Sequence, residues 1–438
     1  MSDVTAQPTW GRPRMGRGHT ATAQAAVAAA DSRRALKFAT ILIVFSIVAQ
    51  RFGFWAGPFP ISLTMLVVFP ALAVMYFFRG VKFDAVALML FVALSSLQIV
   101  SFMTTEDLYV KPTAMFMTIL LNLLYCLCAP LTDADGDKFR SWSIKMFTVF
   151  AVFSLIQFAI QFVNPGPHWF KLSTIFPNEI LIDQRFAAVN PLEYGGNVYR
   201  SNGVFFPEPS YAGAFFSRAV AFTYWFHGSW LALGLQVVAL AITFSGLGFA
   251  TVLCFVGAAL ALAPRAFFKR VRPLYLILAG VIALLLAISW TFLGIGDYGA
   301  RRGGEFGSDH SSAYFRFVAP VNMLNRSLET ATPREILIGR GPGAGDRLES
   351  GAGIELVPNP IVLSIYEYGV FGAILYVALI LRAFGRTYRS APLYLMIIVQ
   401  VLFIQPMTNV ANETIMTYLL GAFVVAGTAR KKAAPARR

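Results

Sequence analysis

Charged side chains are scarce in this sequence. Only 13% of its 438 residues are charged, 57% are hydrophobic, and the mean hydropathy is +0.63. A soluble chain of this length would carry about 25% charged and about 45–50% apolar residues. The composition therefore excludes an ordinary soluble protein and predicts an all-α polytopic integral membrane protein.

Cysteine and histidine are scarce as well. The three cysteines, Cys126, Cys128 and Cys254, all fall in apolar runs, as small core residues do. The four histidines lack the spacing of metal ligands, and the sequence contains no Walker A motif. We therefore expect neither a metal nor a cofactor, and no ATP-driven role.

Twelve apolar runs are long enough, or nearly long enough, to cross a membrane. A spanning helix needs about 20 apolar residues, and shorter runs are typical of broken or re-entrant helices that line a cavity. The runs cover residues 37–53, 61–79, 84–103, 112–131, 145–163, 211–226, 230–245, 247–264, 273–294, 359–381, 391–406 and 409–428. They predict about 12 transmembrane helices.

The net charge of +14 could indicate a nucleic-acid partner, but the positions of the basic residues argue against one. More than half of them lie in the tails and in short loops, which the positive-inside rule places in the cytoplasm. Both termini are then inside, and residues 164–210 and 295–358 form two large outside loops. We expect a disordered tail over 1–35, one transmembrane domain over 36–429 and a basic cytoplasmic tail over 430–438.

The second outside loop is rich in arginine and contains no lysine. Because a guanidinium is planar, always charged and bidentate, arginine without lysine favours a site for diphosphate or carboxylate groups. The seven arginines are Arg301, Arg302, Arg316, Arg326, Arg334, Arg340 and Arg347. The loop also carries eight acidic residues, so surface ion pairing is the alternative for any one arginine.

Two local patterns stand out in this loop. Apolar residues at helical spacing from Ser311 to Leu328 predict an amphipathic helix along the membrane surface, kinked at Pro320. Glycine then occupies every second position from Gly339 to Gly345. The Lys-Ser/Thr pair of a phosphate-binding P-loop is missing. A tight turn that directs Arg340 inward is therefore expected.

The stretch from Arg200 to Arg218 carries charge into an apolar region. Glu208 lies between two prolines, which hold its backbone extended, and it directly precedes an apolar helix that contains Arg218. A charge at membrane depth is costly and usually marks a substrate path or a site. We therefore place one half of a site here and the other half in the arginine-rich loop.

These residues also resemble a known family. Arg200 to Ser210 resembles the Arg…Gly-x-Phe…Glu-Pro-Ser signature of bacterial Wzy-type polysaccharide polymerases, and in particular their exopolysaccharide, xanthan-type branch. Thr243 to Gly248 is similar to the Thr-x-Ser step of that superfamily, and Ile338 to Gly343 to its Gly-x-Gly turn. Asn359 to Gly369, with Glu367, looks like its His-Asn…Glu-x-Gly segment.

The resemblance implies a GT-C-like membrane fold and a glycosyl transfer. A growing glycan would leave its undecaprenyl-diphosphate carrier and join a hydroxyl on the next lipid-linked repeat unit. The implied partners are an undecaprenyl-diphosphate-linked oligosaccharide, membrane lipid, and a polysaccharide co-polymerase or chain-length regulator as a candidate protein partner. The implied location is the bacterial inner membrane, with several spans and an active site facing the periplasm.

Candidate site residues follow from this chemistry. Arg200, Arg316 and Arg340 would contact the diphosphate and stabilise its charge without metal. Glu208 is the first choice for the base that takes the hydroxyl proton, and His310 is the second.

Three further residues are expected near the substrate: Asn359, Arg218 and Glu367. Arg218 and Glu367 could instead form an ion pair that locks the structure within the membrane.

Two other functions stay open. O-antigen ligases of the same superfamily have His-Asn where this chain has Pro358-Asn359, which argues against a ligase. A flippase or transporter, which is not an enzyme, would place charges along a mid-membrane path between pseudo-repeats. Here the charges concentrate in the outside loops, and the sequence shows no internal repeat.

Overall fold

The structure is a computed structural model, and it describes most of the chain outside residues 270–313. The described residues are 17–56, 59–78, 80–105, 109–129, 131–182, 189–192, 197–269, 314, 318–346, 359–385, 390–404 and 411–424. They are mostly helical, with two short two-stranded sheets, which confirms the predicted all-α class.

The helices are numbered here in chain order. They are α1 (Arg17–Val48), α2 (Leu63–Phe77), α3 (Ala85–Thr104), α4 (Pro112–Leu124), α5 (Asp133–Val163), α6 (Pro209–Trp225), α7 (Trp230–Ala241), α8 (Gly246–Leu262), α9 (Pro264–Phe268), α10 (Ala319–Glu329), α11 (Pro333–Ile338), α12 (Pro360–Gly385), α13 (Ala391–Val399) and α14 (Ala411–Val424). The strands are β1 (Gly53–Ala56), β2 (Phe59–Ser62), β3 (Lys82–Phe83) and β4 (Leu127–Cys128).

Three described helices are long and apolar enough to cross a membrane: Ala85–Thr104, Ala134–Val163 and Pro360–Gly385. Five shorter apolar helices accompany them, at Leu63–Phe77, Pro112–Leu124, Trp230–Ala241, Gly246–Leu262 and Ala391–Phe403. The short runs at 211–226 and 230–245 are short helices here too, of 17 and 12 residues. The count of twelve spans and the inside position of both termini stay predictions.

Helix α1 begins within the stretch that was predicted to be a disordered tail. The tail was predicted over residues 1–35, but α1 already begins at Arg17. The stretch is rich in alanine, the best helix former. The Ser32 hydroxyl donates a 2.5 Å hydrogen bond to Asp135 of α5, and Ala35 is fully buried, so tertiary contacts hold this part of the helix.

One end of the bundle, called the basal end here, is defined by a small sheet. Lys82 of β3 lies opposite Cys128 of β4 in an antiparallel pair. Helix α3 begins just after β3 and α5 begins shortly after β4, so both helices start at the basal end. Arg382, near the end of α12, forms a 2.7 Å ion pair with Asp84, which caps α3. Helix α12 therefore ends at the basal end.

The opposite end, called the apical end, holds the other ends of these helices. The Ser101 hydroxyl, near the end of α3, donates to the Glu367 carbonyl near the start of α12, at 3.3 Å. Helices α3 and α12 are therefore antiparallel neighbours. Because α5 also starts at the basal end, its carboxyl-terminal half points to the apical end.

The surface helix predicted in the second loop is described only in part. The described part is α10, which begins at Ala319, and Pro320 lies in its first turn. Proline fits the first turn because the amide it lacks has no partner there anyway. The predicted kink at Pro320 stays a prediction, because the stretch from Ser311 to Phe317 lies outside the described residues apart from Tyr314.

Candidate functional site

The first group of site residues is a turn before α6, called the Arg200 turn here (residues 199–208). Amide and hydroxyl side chains of α5 hold it at the apical end. Gln157 Nε2 donates to Asn202 Oδ1 at 2.7 Å, and Ser201 Oγ donates to Gln157 Oε1 at 2.9 Å. Ser154 Oγ lies 2.7 Å from Ser201 Oγ. All four side chains are buried, and a satisfied buried polar network fixes one backbone path.

Arg51 also holds this turn. It follows α1, is only 1% exposed, and its Nη1 donates to the Val204 carbonyl at 2.7 Å. Its Nη2 donates to the Phe170 carbonyl at 3.1 Å. Val204 has φ of 67°, an uncommon conformation for a β-branched residue that surrounding structure must stabilise. Sequence reasoning missed Arg51, although an arginine near the end of an apolar run was a signal.

The Thr243–Gly248 step packs against the same turn. Ser201 donates its amide to the Ile242 carbonyl at 3.0 Å. Ser245 caps α8, and a Cβ added to Gly213 of α6 would lie 2.4 Å from the Ser245 Cβ. The two segments, far apart in sequence, are therefore brought together. Glycine at position 213 allows α6 and the start of α8 to approach this closely.

Arg200 and Glu208 stand at the two ends of this turn. Arg200 is half-buried, and its amide donates to the Asn190 carbonyl at 2.9 Å. Glu208 is the residue before the first turn of α6, with φ −142° and ψ 160°. Its backbone is extended, as predicted. Its Oε2 accepts a 3.0 Å hydrogen bond from Ser210, and the amides of the helix start favour a negative charge there.

The second group is built around Glu367 and the glycines of residues 339–345, called the glycine cradle here. Glu367 is 3% exposed, and its Oε1 accepts amide hydrogen bonds from Gly343 at 3.0 Å and Gly345 at 3.3 Å. Its Oε2 accepts no hydrogen bond of good geometry within the described part of the chain, although the Tyr368 hydroxyl lies close to the Glu367 carboxylate. The two motifs therefore form one unit.

Two glycines make this close approach possible. Gly339 has φ of 79°, and a Cβ there would lie 2.2 Å from the Glu367 carbonyl oxygen. Gly369 has φ of 67°, which bends α12, and a Cβ there would lie 2.4 Å from the Leu337 carbonyl. Left-handed backbone and the absence of a side chain are both required at these positions.

The segment that connects α3 to α4 also forms hydrogen bonds with the glycine cradle. The Thr105 hydroxyl donates to the Arg340 carbonyl at 2.9 Å, and the Lys111 amide donates to the Pro342 carbonyl at 2.9 Å. The Lys111 ammonium also forms an exposed ion pair with Asp346. The cradle thus rests on α12 and on the apical end of α3.

Comparison with known families identifies the chain. The family described as WcaD colanic acid polymerase matches residues 38–425, which is most of the sequence. This chain belongs to the WcaD colanic acid polymerase family. The finding confirms the predicted kinship with the Wzy-type exopolysaccharide polymerases. Comparison with curated proteins and with solved structures gave no match.

In this WcaD family member, the expected tight turn around Arg340 is observed, but the guanidinium already has partners. Its Nη2 donates to the Ser327 carbonyl at 3.1 Å, and its Cζ lies 5.3 Å from the centre of the Tyr366 ring. Its Nε lies 3.6 Å from Glu335 Oε1. Arg340 is therefore held within the protein, and a diphosphate would compete with Glu335 for it.

Glu335 is a fixed negative charge beside Arg340. Partial burial raises its pKa, but the Thr332 amide and hydroxyl and the charges of Arg340 and Arg334 outweigh this. The pKa of Glu335 is therefore below its usual value. The same carboxylate completes a capping box with Thr332 at the start of α11.

Asn359, expected to bind substrate, has a clear structural contact. Its Oδ1 accepts the Val362 amide at 3.0 Å, and its carbonyl accepts the Leu363 amide. These are the hydrogen bonds of a helix N-cap at the start of α12.

The expected ion pair between Arg218 and Glu367 does not form. Arg218 is fully buried, its Nε donates to the Ala214 carbonyl at 3.0 Å, and its Nη1 donates to the Thr417 hydroxyl. Glu367 instead accepts the cradle amides. The two side chains lie on different helices with different neighbours, which the sequence could not indicate.

Two predicted residues, His310 and Arg316, lie outside the described residues. Within the described part of the chain there is no cluster of three or more potential metal ligands. The hydrogen bonds and ion pairs of Arg340 and Glu367 go to residues outside the Arg200 turn. The two groups thus share the apical end as separately built units.

Proposed function

We propose that this protein polymerises lipid-linked oligosaccharide repeat units into an exopolysaccharide by glycosyl transfer. The observation that carries the proposal is the match to the WcaD colanic acid polymerase family over residues 38–425. The Arg200 turn and the glycine cradle, both within the matched range, supply the charged residues that such a transfer needs.

The proposed substrate is an undecaprenyl-diphosphate-linked oligosaccharide, and the proposed location is the inner membrane with the apical end towards the periplasm. The charge distribution supports this orientation. Lys82, Lys138 and Arg382 lie near the basal end, which the positive-inside rule assigns to the cytoplasm. An apolar substrate tail explains why the transfer would be carried out by membrane helices.

In the proposed reaction, an acceptor hydroxyl attacks the anomeric carbon of the growing chain. The bond from that carbon to the diphosphate oxygen breaks, and undecaprenyl diphosphate leaves with both bonding electrons. Arg200, with Arg316, would stabilise the charge that develops on the diphosphate, so that arginine does the work of a metal. Preorganised positive charge suits this step because it needs no rearrangement during the reaction.

Glu208 is the proposed base. It lies on the same turn as Arg200, directly before α6, and a carboxylate within hydrogen-bond reach of the acceptor hydroxyl can take its proton. His310 is the alternative. Glu367 is proposed as a positioning residue, because its Oε1 holds two amides of the cradle and thereby fixes the segment that carries Arg340.

The test uses the full-length protein in vesicles with lipid-linked repeat units extracted from the cells in which the protein acts. A polymerase yields a ladder of lengthening lipid-linked glycans and releases undecaprenyl diphosphate. Transfer of single glycans to an acceptor without a lipid diphosphate would indicate a ligase. Movement of intact substrate across the vesicle without any new bond would indicate a transporter.

Variants then assign the base. Glu208→Gln should bind the lipid-linked donor normally and make little polymer. Normal polymer with Glu208→Gln and none with His310→Ala would transfer the role to His310. Arg265→Gln serves as a control, since Arg265 is exposed and lies outside both groups.

A further inference from the structure

A groove of ≈ 910 Å³ runs along α5 and the turn between α6 and α7. Arg140, Lys145 and His227 line one end, and apolar side chains line its length. Arg140 precedes Gln157, which holds the Arg200 turn, by 17 residues. At about 1.5 Å per residue this is about 25 Å of helix, close to the roughly 30 Å hydrocarbon core of a bilayer. The basic end is therefore at the opposite membrane face from the proposed active site.

The basic end offers positive charge to a ligand. Lys145 is exposed and forms no ion pair within the described residues. Arg140 pairs with Asp137 and lies 5.1 Å from the centre of the Phe226 ring, which holds its guanidinium in place. Among the described residues that line the groove, Asp137 is the only acidic one. The end of the groove therefore carries net positive charge.

The length of the groove is apolar and open. Val149, Val152, Phe153 and Ile156 are 53%, 39%, 43% and 55% exposed. Their spacing places them on one face of α5. Leu231 of α7, 75% exposed, lines the opposite wall. Such a stripe is suited to hydrocarbon chains, and the basic end is suited to a phosphate.

We propose that this groove binds one two-chain anionic phospholipid, with its phosphate at Lys145 and Arg140 and its acyl chains along the α5 stripe. A basic recess between helices at the cytoplasmic face is the arrangement that selects anionic headgroups. Charge complementarity favours a lipid over a second copy of the chain, because an apolar protein surface would leave Lys145 without a counter-charge. The proposal is independent of glycosyl transfer.

The test is native mass spectrometry of the full-length protein after incubation with phosphatidylglycerol or with phosphatidylcholine of the same acyl chains. One phosphatidylglycerol should be retained in preference to phosphatidylcholine. Lys145→Gln should weaken its retention about fivefold, as expected for one basic side chain at a membrane surface. The control is Lys82→Gln, which removes an exposed charge at the same end but outside the groove and should leave retention unchanged.

A second pair of variants tests the apolar length. Val152→Trp would fill the groove and should reduce retention of phosphatidylglycerol, whereas Val92→Trp, on the exposed face of α3, should not. Equal retention of both lipids, or equal losses with Lys145→Gln and Lys82→Gln, would overturn the proposal. A dimer that disappears with Val152→Trp would also overturn it and assign the groove to a second copy.

Discussion

In the Arg200 turn, buried side chains fix the backbone through hydrogen bonds. In the glycine cradle, by contrast, the backbone packs directly against the backbone of α12. Gln157 and Arg51 reach the turn with amide and guanidinium groups. The cradle approaches α12 so closely that Gly339 and Gly369 leave no space for a Cβ. The turn should therefore be sensitive to loss of polar groups, and the cradle to the addition of a single methyl group.

This difference has a chemical meaning. A turn fixed by side chains can present Arg200 and Glu208, both half-buried, in one geometry. Direct packing of one backbone against another is rigid, because close-packed atoms have little room to move. We infer that the cradle is the rigid platform of the proposed site and that the Arg200 turn presents its reacting groups.

The largest expected effect comes from adding one methyl group to the cradle. Gly339→Ala and Gly369→Ala each combine a left-handed backbone with a Cβ within 2.4 Å of another backbone. We expect a loss of about 4 kcal/mol in the free energy of unfolding. The measurement is the thermal midpoint in detergent. Gly257→Ala on α8 is the matched control, because a Cβ there meets nothing within 4 Å. Equal midpoints for all three variants would refute the rigid platform.

The second effect comes from removing the guanidinium beneath the Arg200 turn. Arg51→Met keeps the length of the side chain and leaves the Val204 and Phe170 carbonyls without these donors. We expect the free energy of unfolding to fall by about 3 kcal/mol, because hydrogen bonds from a charged donor are stronger than those from a neutral one. Proteolysis or labelling of residues 199–204 should rise while the cradle stays protected. Unchanged protection of the turn would contradict the role given to Arg51.

Glu367 should show a smaller effect that depends on the replacement. Glu367→Ala leaves the Gly343 and Gly345 amides without their acceptor, and we expect a loss of about 2 kcal/mol. Glu367→Gln keeps an acceptor oxygen and should recover most of the stability. Because Glu367 is proposed to position the cradle, polymer yield should follow stability in both variants. A stable Glu367→Gln without any polymer would instead give the carboxylate a direct role in the reaction.

The smallest loss of stability is expected at Asn359, the N-cap of α12. Asn359→Ala should lower the free energy of unfolding by about 1 kcal/mol. Asn359→Asp should leave it unchanged, because aspartate caps a helix equally well. Polymer yield separates this role from the substrate-binding role first expected. If Asn359→Asp folds normally but makes no polymer, Asn359 contacts the substrate.

The fold class and the main local features of the site could be predicted from the sequence. Composition predicts the membrane class. The two prolines around Glu208 predict its extended backbone, and the alternating glycines predict the turn at Arg340. Each of these is a local effect on a few neighbouring residues. The contact of α1 from Ser32 to Asp135 could not be predicted, because it joins positions 103 residues apart.

Pairings between distant elements could not be predicted. The partners of Arg218 and Glu367 depend on which helix faces which, and apolar helices of similar composition do not specify this. The role of Arg51 was missed for the same reason, since its acceptors are backbone carbonyls that any residue could supply. Asn359 was assigned to substrate because the motif suggested it, although its position before Pro360 is typical of a helix cap.

The central claim, that arginine stabilises the diphosphate leaving group, is tested most directly at Arg200. Polymer yield is compared for wild-type protein, Arg200→Lys and Arg200→Ala at equal expression and equal thermal midpoint. Because an ammonium group cannot replace a bidentate guanidinium, Arg200→Lys should fail nearly as completely as Arg200→Ala. Normal polymer yield with Arg200→Lys would contradict the proposed diphosphate contact.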